Sequence, residues 1–270
     1  MSDRIVLAGC GNMGFAMLKG WLDTGVASAG DITVVEPAEA LRARAGSLGV
    51  PTLDAPPAGG EAPALVVLAV KPQVIREAAG AYRHWGGGRT AFLSVAAGTS
   101  IATLEDALGT GTPVIRAMPN TPAAIGKGMI ATFANAHAGE QAQALVRRLL
   151  EASGTVAPLR DESEIDAVTA VSGSGPAYVF LFLEALEAAG VEAGLEPELA
   201  ALLARETVWG AASLARASQD KPAELRRQVT SPNGTTAAAL TVLMGNDALQ
   251  RLVGEAVASA KTRSEELGRA

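Results

Sequence analysis

The residues best suited to do chemistry stand near the front of the chain, where Arg4-Ile5-Val6-Leu7-Ala8 runs into Gly9-Cys10-Gly11-Asn12-Met13-Gly14. An apolar run, a G-x-G-x-x-G turn and a helix-like run from Phe15 to Leu22 form, in that order, the phosphate-binding corner of a dinucleotide fold. Gly9 permits the tight turn, Gly11 lets the backbone approach a pyrophosphate, and Gly14 lets the helix pack on the strand. The helix N-terminus offers unpaired N–H groups and the positive end of its dipole to the phosphates. With 30 glycines in the chain, the pattern draws its meaning from its place between strand and helix. Glu36 closes the next apolar run, roughly 20 residues on, where an acid binds the ribose hydroxyls of NAD and repels the 2′-phosphate of NADP. Arg42 and Arg44 follow it and could instead pair with that phosphate, and a solvated strand-end glutamate is the plain alternative.

Further candidates fall at the ends of later apolar runs. Lys71-Pro72 follows Leu65–Val70, Ala96-Ala97-Gly98 ends Ala91–Ala97, and Asn120 follows Val114–Ala117. Open α/β sheets bind ligands at the carboxyl ends of their parallel strands, so together these positions mark one edge. Two loops stand out further on: Ser172-Gly173-Ser174-Gly175-Pro176, and Thr230-Ser231-Pro232-Asn233-Gly234-Thr235-Thr236. Small residues before a helix make a nest of N–H groups able to hold a carboxylate, and the hydroxyls of Ser231, Thr235 and Thr236 add donors and acceptors. Simple N-capping would use the same residues. Only two histidines occur, His84 and His137, neither in a motif, and no His, Cys, Asp or Glu cluster has metal-ligand spacing. No metal is expected. Cys10 reads as a small apolar filler of the turn. A chemistry needing little acid–base help suits this sequence.

These residues must be positioned by a fold that the pattern also suggests. The apolar runs Ile5–Ala8, Ile32–Val35, Leu65–Val70, Ala91–Ala97 and Val114–Ala117 lack polar alternation, which suits strands buried on both faces. Weaker strands are expected near Met129–Phe133 and Thr155–Leu159, and surface loops at Asp54–Pro63 and Gly86–Gly88. From Glu164 onward the pattern is helical: Pro176–Ala193, Pro197–Ala217, Pro222–Val229, Thr235–Met244 and Asp247–Leu267. The expected fold is an α/β Rossmann-type N-terminal domain, residues 1–161, followed by an all-α C-terminal domain, residues 162–270. The later helices are rich in Ala and Leu on more than one face, and a helix apolar nearly all round must be buried. A second subunit is the economical cover, so an intertwined helical dimer is expected, with a compact bundle packed on the first domain as the alternative. Net charge is −6, which speaks against nucleic acid as a partner. A single cysteine fits a reducing cytoplasm, and no secretory leader or membrane span is expected.

Taken together, these motifs resemble the pyrroline-5-carboxylate reductases, which catalyse the last step of proline biosynthesis, over nearly the whole length. The resemblance rests on the glycine turn, Ala69-Val70-Lys71-Pro72, Ala96-Ala97-Gly98, Arg116-Ala117-Met118-Pro119-Asn120-Thr121-Pro122, Ile165-Asp166-Ala167-Val168-Thr169, Ser172–Tyr178 and Val229–Thr236. Asn233 stands where that family usually has Gly, and Asn tolerates left-handed geometry next best. The resemblance implies reduction of the cyclic imino acid 1-pyrroline-5-carboxylate to L-proline by NADPH or NADH. It implies cofactor contacts at Ala8, Gly9, Cys10, Gly11, Asn12 and Met13, at Glu36, at Ala69, Val70, Lys71 and Pro72, and at Val95, Ala96 and Ala97. It implies substrate contacts at Gln228, Thr235, Thr236 and Glu162, and a domain-swapped dimer, often assembled into a decamer. A protonated imine is already electrophilic, so positioning matters more than a base. On this reading the Ser231–Thr236 loop holds the carboxylate, and the Thr236 hydroxyl, the catalytic candidate, contacts the ring nitrogen. A β-hydroxyacid dehydrogenase is the enzyme rival, but it would carry Lys and Asn on the helix that here reads Pro176-Ala177-Tyr178-Val179-Phe180-Leu181-Phe182. Another imine reductase, or a dinucleotide-binding protein without enzymatic activity, would keep the glycine turn, and the latter would not need the Thr235-Thr236 loop.

Overall fold

The computed structural model describes residues 3–269. Eight strands form one sheet in the order β3-β2-β1-β4-β5-β6-β7-β8. They are β1 Ile5–Ala8, β2 Ile32–Val35, β3 Thr52–Leu53, β4 Leu65–Leu68, β5 Ala91–Ser94, β6 Val114–Met118, β7 Gly128–Ala134 and β8 Gly154–Pro158. All neighbours pair in parallel except β6 and β7. The first six strands thus have the doubly wound dinucleotide-fold order, with the reversal of winding between β1 and β4. The expected runs became strands because they are buried on both faces; β1, β4 and β5 are buried at every position. The short edge strand β3 is additional. The antiparallel β7 follows from the brief connection Pro119–Lys127, since a parallel return needs a crossover of a dozen or more residues.

Helices α1 Asn12–Thr24, α2 Glu39–Gly46, α3 Ile75–Gly80, α4 Ile101–Leu108 and α5 Glu140–Glu151 connect these strands. Helix α1 buries Gly14, Met17, Leu18 and Trp21, and the Trp21 indole N–H donates to the Leu149 carbonyl at 3.0 Å, tying α1 to α5. The remaining helices are α6 Glu164–Val168, α7 Gly175–Glu192, α8 Pro197–Ala217, α9 Pro222–Gln228, α10 Thr235–Met244 and α11 Ala248–Arg269.

The chain divides into two compact units, one running to Ser174 and taking back the residues from Ala260, the other Gly175–Ser259. The division differs from the expected boundary after residue 161, and side-chain contacts explain why. Ile165 of α6 is buried, and Ser264 of α11 donates to Asp166 at 2.6 Å. The bond from Ser264 ties α11 to α6, and the pairing of Arg116 on β6 with Glu162 joins the start of α6 to the sheet.

Two sequence expectations need correction here. Ser172–Pro176 is not a loop before a helix: Thr169–Gly173 is a π-helical turn that runs into α7. The Asn120 amide donates to the Ser172 carbonyl at 3.1 Å and supplies a partner there. The glycines and serines therefore sit inside a helical path with no free N-terminus. Consequently Glu164–Glu192 reads as one helix, with mean hydropathy 1.2, long and apolar enough to cross a membrane by length and composition. No such stretch was expected, because the supposed loop divided it. In the second unit, Phe180, Leu181, Leu202, Trp209, Leu214 and Leu252 are all exposed in the single chain.

Candidate active site

The sheet-bearing unit carries a crevice at the switch point between β1 and β4. Gly9 donates its N–H to the Val35 carbonyl at 2.8 Å, and Ala69 donates to Ala8 at 2.8 Å, so the turn leaves β1 against both neighbouring strands. Gly9 has φ +89°, and a Cβ there would lie 2.7 Å from the Ala69 oxygen. A Cβ on Gly14 would collide with the Gly9 carbonyl. Gly11 is different, because a Cβ there would meet nothing of the protein within 4 Å. Two glycines are therefore required by the chain itself, and the third keeps open a space that the protein does not fill. Gly11 is the N-cap of α1 and no side chain caps that end, so the first-turn N–H groups face the opening. This is the cradle a pyrophosphate requires.

A cavity of about 510 Å³ occupies the crevice, and Ala8, Gly9, Gly11, Glu36, Ala69, Val70 and Lys71 line it. The other cofactor candidates do not line that cavity. Cys10 is fully buried and Met13 packs on the core beneath the turn. Asn12 and Gly14 begin α1. Pro72, Val95, Ala96 and Ala97 follow the ends of β4 and β5. Burial pushes the Cys10 thiol up to about 11, with the Arg44 charge opposing that rise. A thiol so held stays protonated at neutral pH, which suits a filler and not a nucleophile. Ellman's reagent should therefore label Cys10 only in denaturant; rapid labelling of the folded protein would contradict this burial.

The loop in the second unit has its own geometry. Asn233 adopts φ +61°, the left-handed conformation expected at this departure from glycine. The Gly234 N–H donates to the Ser231 carbonyl at 3.1 Å. Gly234 is the N-cap of α10, and no side chain caps that helix. Ser231 and Thr235 are exposed and Thr236 is half-buried. The capping role that these residues could have filled is thus not taken, and the N-terminus of α10 keeps donors available for an anion.

Two carried-over substrate candidates have other partners. One Glu162 oxygen accepts the Ile101 N–H at 2.7 Å, at the start of α4, and also pairs with Arg116. The Gln228 amide donates to Asp220 at 2.9 Å. Asn120, marked at the strand edge, bridges the Met129 N–H and Ser172. Arg116 heads one of the family motifs, but nothing in the sequence names its partner, although a charged residue within an apolar strand run signals a buried one. It is 8% exposed, and its pairing with Glu162 fixes the start of α6 beside α4.

Comparison with known proteins adds independent information. A family model described as pyrroline-5-carboxylate reductase dimerisation matches residues 162–267, and one described as coenzyme F420-dependent NADP oxidoreductase matches residues 4–98. The chain is 41% identical to a Pseudomonas aeruginosa pyrroline-5-carboxylate reductase, over 98% of this chain and 97% of that one. Its structure is similar to a pyrroline-5-carboxylate reductase from Coxiella burnetii, with TM-score 0.95, 33% identity and full coverage of both chains. It is also similar to a Plasmodium falciparum pyrroline carboxylate reductase with NADP bound, with TM-score 0.85, 26% identity, and 99% and 100% coverage.

Proposed function

The chain belongs to the pyrroline-5-carboxylate reductase family, and from that premise we propose how its residues perform the reaction. The enzyme reduces 1-pyrroline-5-carboxylate to L-proline with NAD(P)H. Reduction of the C=N bond adds a hydride to carbon and a proton to nitrogen. When bound, the reduced nicotinamide supplies the hydride. The residues fit such a cofactor: the open space at Gly11 and the uncapped α1 take the pyrophosphate, and Glu36 faces the adenosine ribose. Val70 and Lys71 line the crevice at the end of β4, and Pro72, Val95, Ala96 and Ala97 follow the ends of β4 and β5 beyond its lining.

The observation that carries the substrate side is the uncapped N-terminus of α10, beside hydroxyls that make no cap. The backbone donors of the Ser231–Thr236 loop hold the substrate carboxylate, and the Thr236 hydroxyl accepts the N–H of the protonated imine. This fixes the ring face that receives hydride. Positioning of this kind can supply a large share of a barrier reduction without any poised base, consistent with a chain that has only two histidines. Glu162 is held through one oxygen by Arg116 and the Ile101 N–H, which orients its carboxylate for the substrate contact the resemblance implies.

Progress curves of NADH and NADPH oxidation with pyrroline-5-carboxylate test the activity, and Thr236→Ala tests the site. The variant keeps the backbone nest but leaves the imine N–H without its acceptor. The loss in kcat/KM is expected to be about 1–3 kcal/mol, with cofactor affinity unchanged. Thr236→Val keeps the side-chain shape and should lose as much. Wild-type hydride transfer in both variants would make Thr236 a spectator.

The working form is a homodimer built through the apolar faces of α7, α8, α10 and α11, which expose Phe180, Leu202, Val242 and Leu252 in one chain. Covering by a second copy, not by lipid, accounts for the apolar Glu164–Glu192 helix, and the enzyme acts in the cytoplasm. A decamer assembled from five such dimers is what the resemblance adds, and light scattering on the full chain distinguishes it from a dimer.

A further inference from the structure

The adenosine end of the crevice holds one acid and two arginines, and their partners decide which cofactor it suits. Glu36 follows β2, its N–H donating to the Leu53 carbonyl at 2.9 Å. Its side chain turns back to the glycine turn. There Oε2 accepts the Cys10 N–H at 2.7 Å and Oε1 accepts the Ala38 N–H at 3.0 Å. The carboxylate is thus anchored at both oxygens and still lines the cavity. Swinging it aside would strip the Cys10 and Ala38 N–H groups of their acceptor.

Both arginines are turned to backbone carbonyls. Arg42 Nη1 donates to the Glu36 and Pro37 oxygens at 2.8 and 2.9 Å. Arg44 Nη2 donates to the Cys10 oxygen at 3.0 Å, and its guanidinium stacks over the Phe15 ring, 4.1 Å from the ring centre. One nitrogen of each arginine thus braces the loops around the acid, the buried Arg44 Nε has no hydrogen-bond partner, and neither residue lines the cavity.

We propose that this chain selects NADH over NADPH, with the fixed Glu36 carboxylate as the discriminating group. The proposal rests on the reading of the glycine crevice as the cofactor site. A ribose 2′-hydroxyl can donate a hydrogen bond to the carboxylate. A 2′-phosphate at neutral pH has no donor to offer and brings a like charge against an acid that cannot retreat.

Calorimetric titration of the full-length protein with ADP-ribose and with 2′-phospho-ADP-ribose tests this without turnover, and NADH and NADPH provide a second pair. The unphosphorylated member of each pair should bind at least about tenfold tighter, because juxtaposed like charges oppose binding strongly. Glu36→Gln keeps an oxygen acceptor for one backbone N–H and removes the charge. It should shrink the preference mainly by tightening the phosphorylated ligands. Equal or tighter binding of the phosphorylated ligands by the wild type would overturn the proposal, and that comparison needs no variant. A preference unchanged in folded Glu36→Gln would remove Glu36 as its cause. Failure of all four ligands to bind would instead overturn the crevice reading beneath it.

Discussion

Replacing Gly11 with valine will leave the fold intact and weaken cofactor binding by at least about 2 kcal/mol, roughly 30-fold. The fold survives because a Cβ at Gly11 meets no protein atom within 4 Å, and its φ of −64° is open to any residue. Binding suffers because the valine methyls enter the space that the uncapped α1 N-terminus leaves for phosphate. Fluorescence titration with the reduced cofactor measures the loss, and circular dichroism establishes that the variant is folded. Unchanged affinity in a folded Gly11→Val protein would remove the pyrophosphate from this turn.

The neighbouring glycines make the contrast. Gly9→Val adds a Cβ in left-handed backbone, against the Ala69 carbonyl, and Gly14→Val drives one into the Gly9 carbonyl. Both should lower thermal stability before any ligand is added. One motif thus contains two glycines that the packing requires and one that it does not, the division of roles that the spacing predicts.

How much of this was legible beforehand depends on the range of the interactions involved. The buried strands declared themselves because both faces of a parallel sheet are covered, which leaves uninterrupted runs such as Leu65–Leu68. The Asn233 conformation was legible because it is a property of one residue's backbone. The two-residue strand β3 was not, since Leu53 at the sheet edge is exposed and leaves no apolar run. Ser172–Gly175 misled for a related reason. Its composition favours a loop, but Asn120, 52 positions away from Ser172, provides the side-chain donor that accompanies a π turn. Nor could the sequence show that one Glu162 oxygen is held by Arg116 and the Ile101 N–H, because those partners lie 46 and 61 positions away. Arg42 and Arg44 carry the same lesson at the cofactor end: their sequence position suggested phosphate partners and gave no sign of the loop carbonyls that accept from one nitrogen of each.

Phe180→Asp will split the assembled protein into monomers at concentrations where the wild type is fully associated. Val179, Phe180, Leu181 and Phe182 follow one another on α7, and all four are exposed in the single chain, so that helix presents apolar surface on several sides. Burying one phenylalanine side chain is worth about 1.5–3 kcal/mol. In a two-fold interface each substitution occurs twice, so lost burial alone costs about 3–6 kcal/mol, and two uncompensated carboxylates add to it. The dimer dissociation constant should therefore rise by about 10²-fold or more. Because association stabilises the folded chain by mass action, wild-type melting temperature should also climb with protein concentration, and Phe180→Asp should abolish that dependence. Light scattering across a dilution series measures the first effect and melting curves at several concentrations the second. A Phe180→Asp protein that remains dimeric down to nanomolar concentration, with a concentration-dependent melt, would show that this face of α7 is not where the two copies meet.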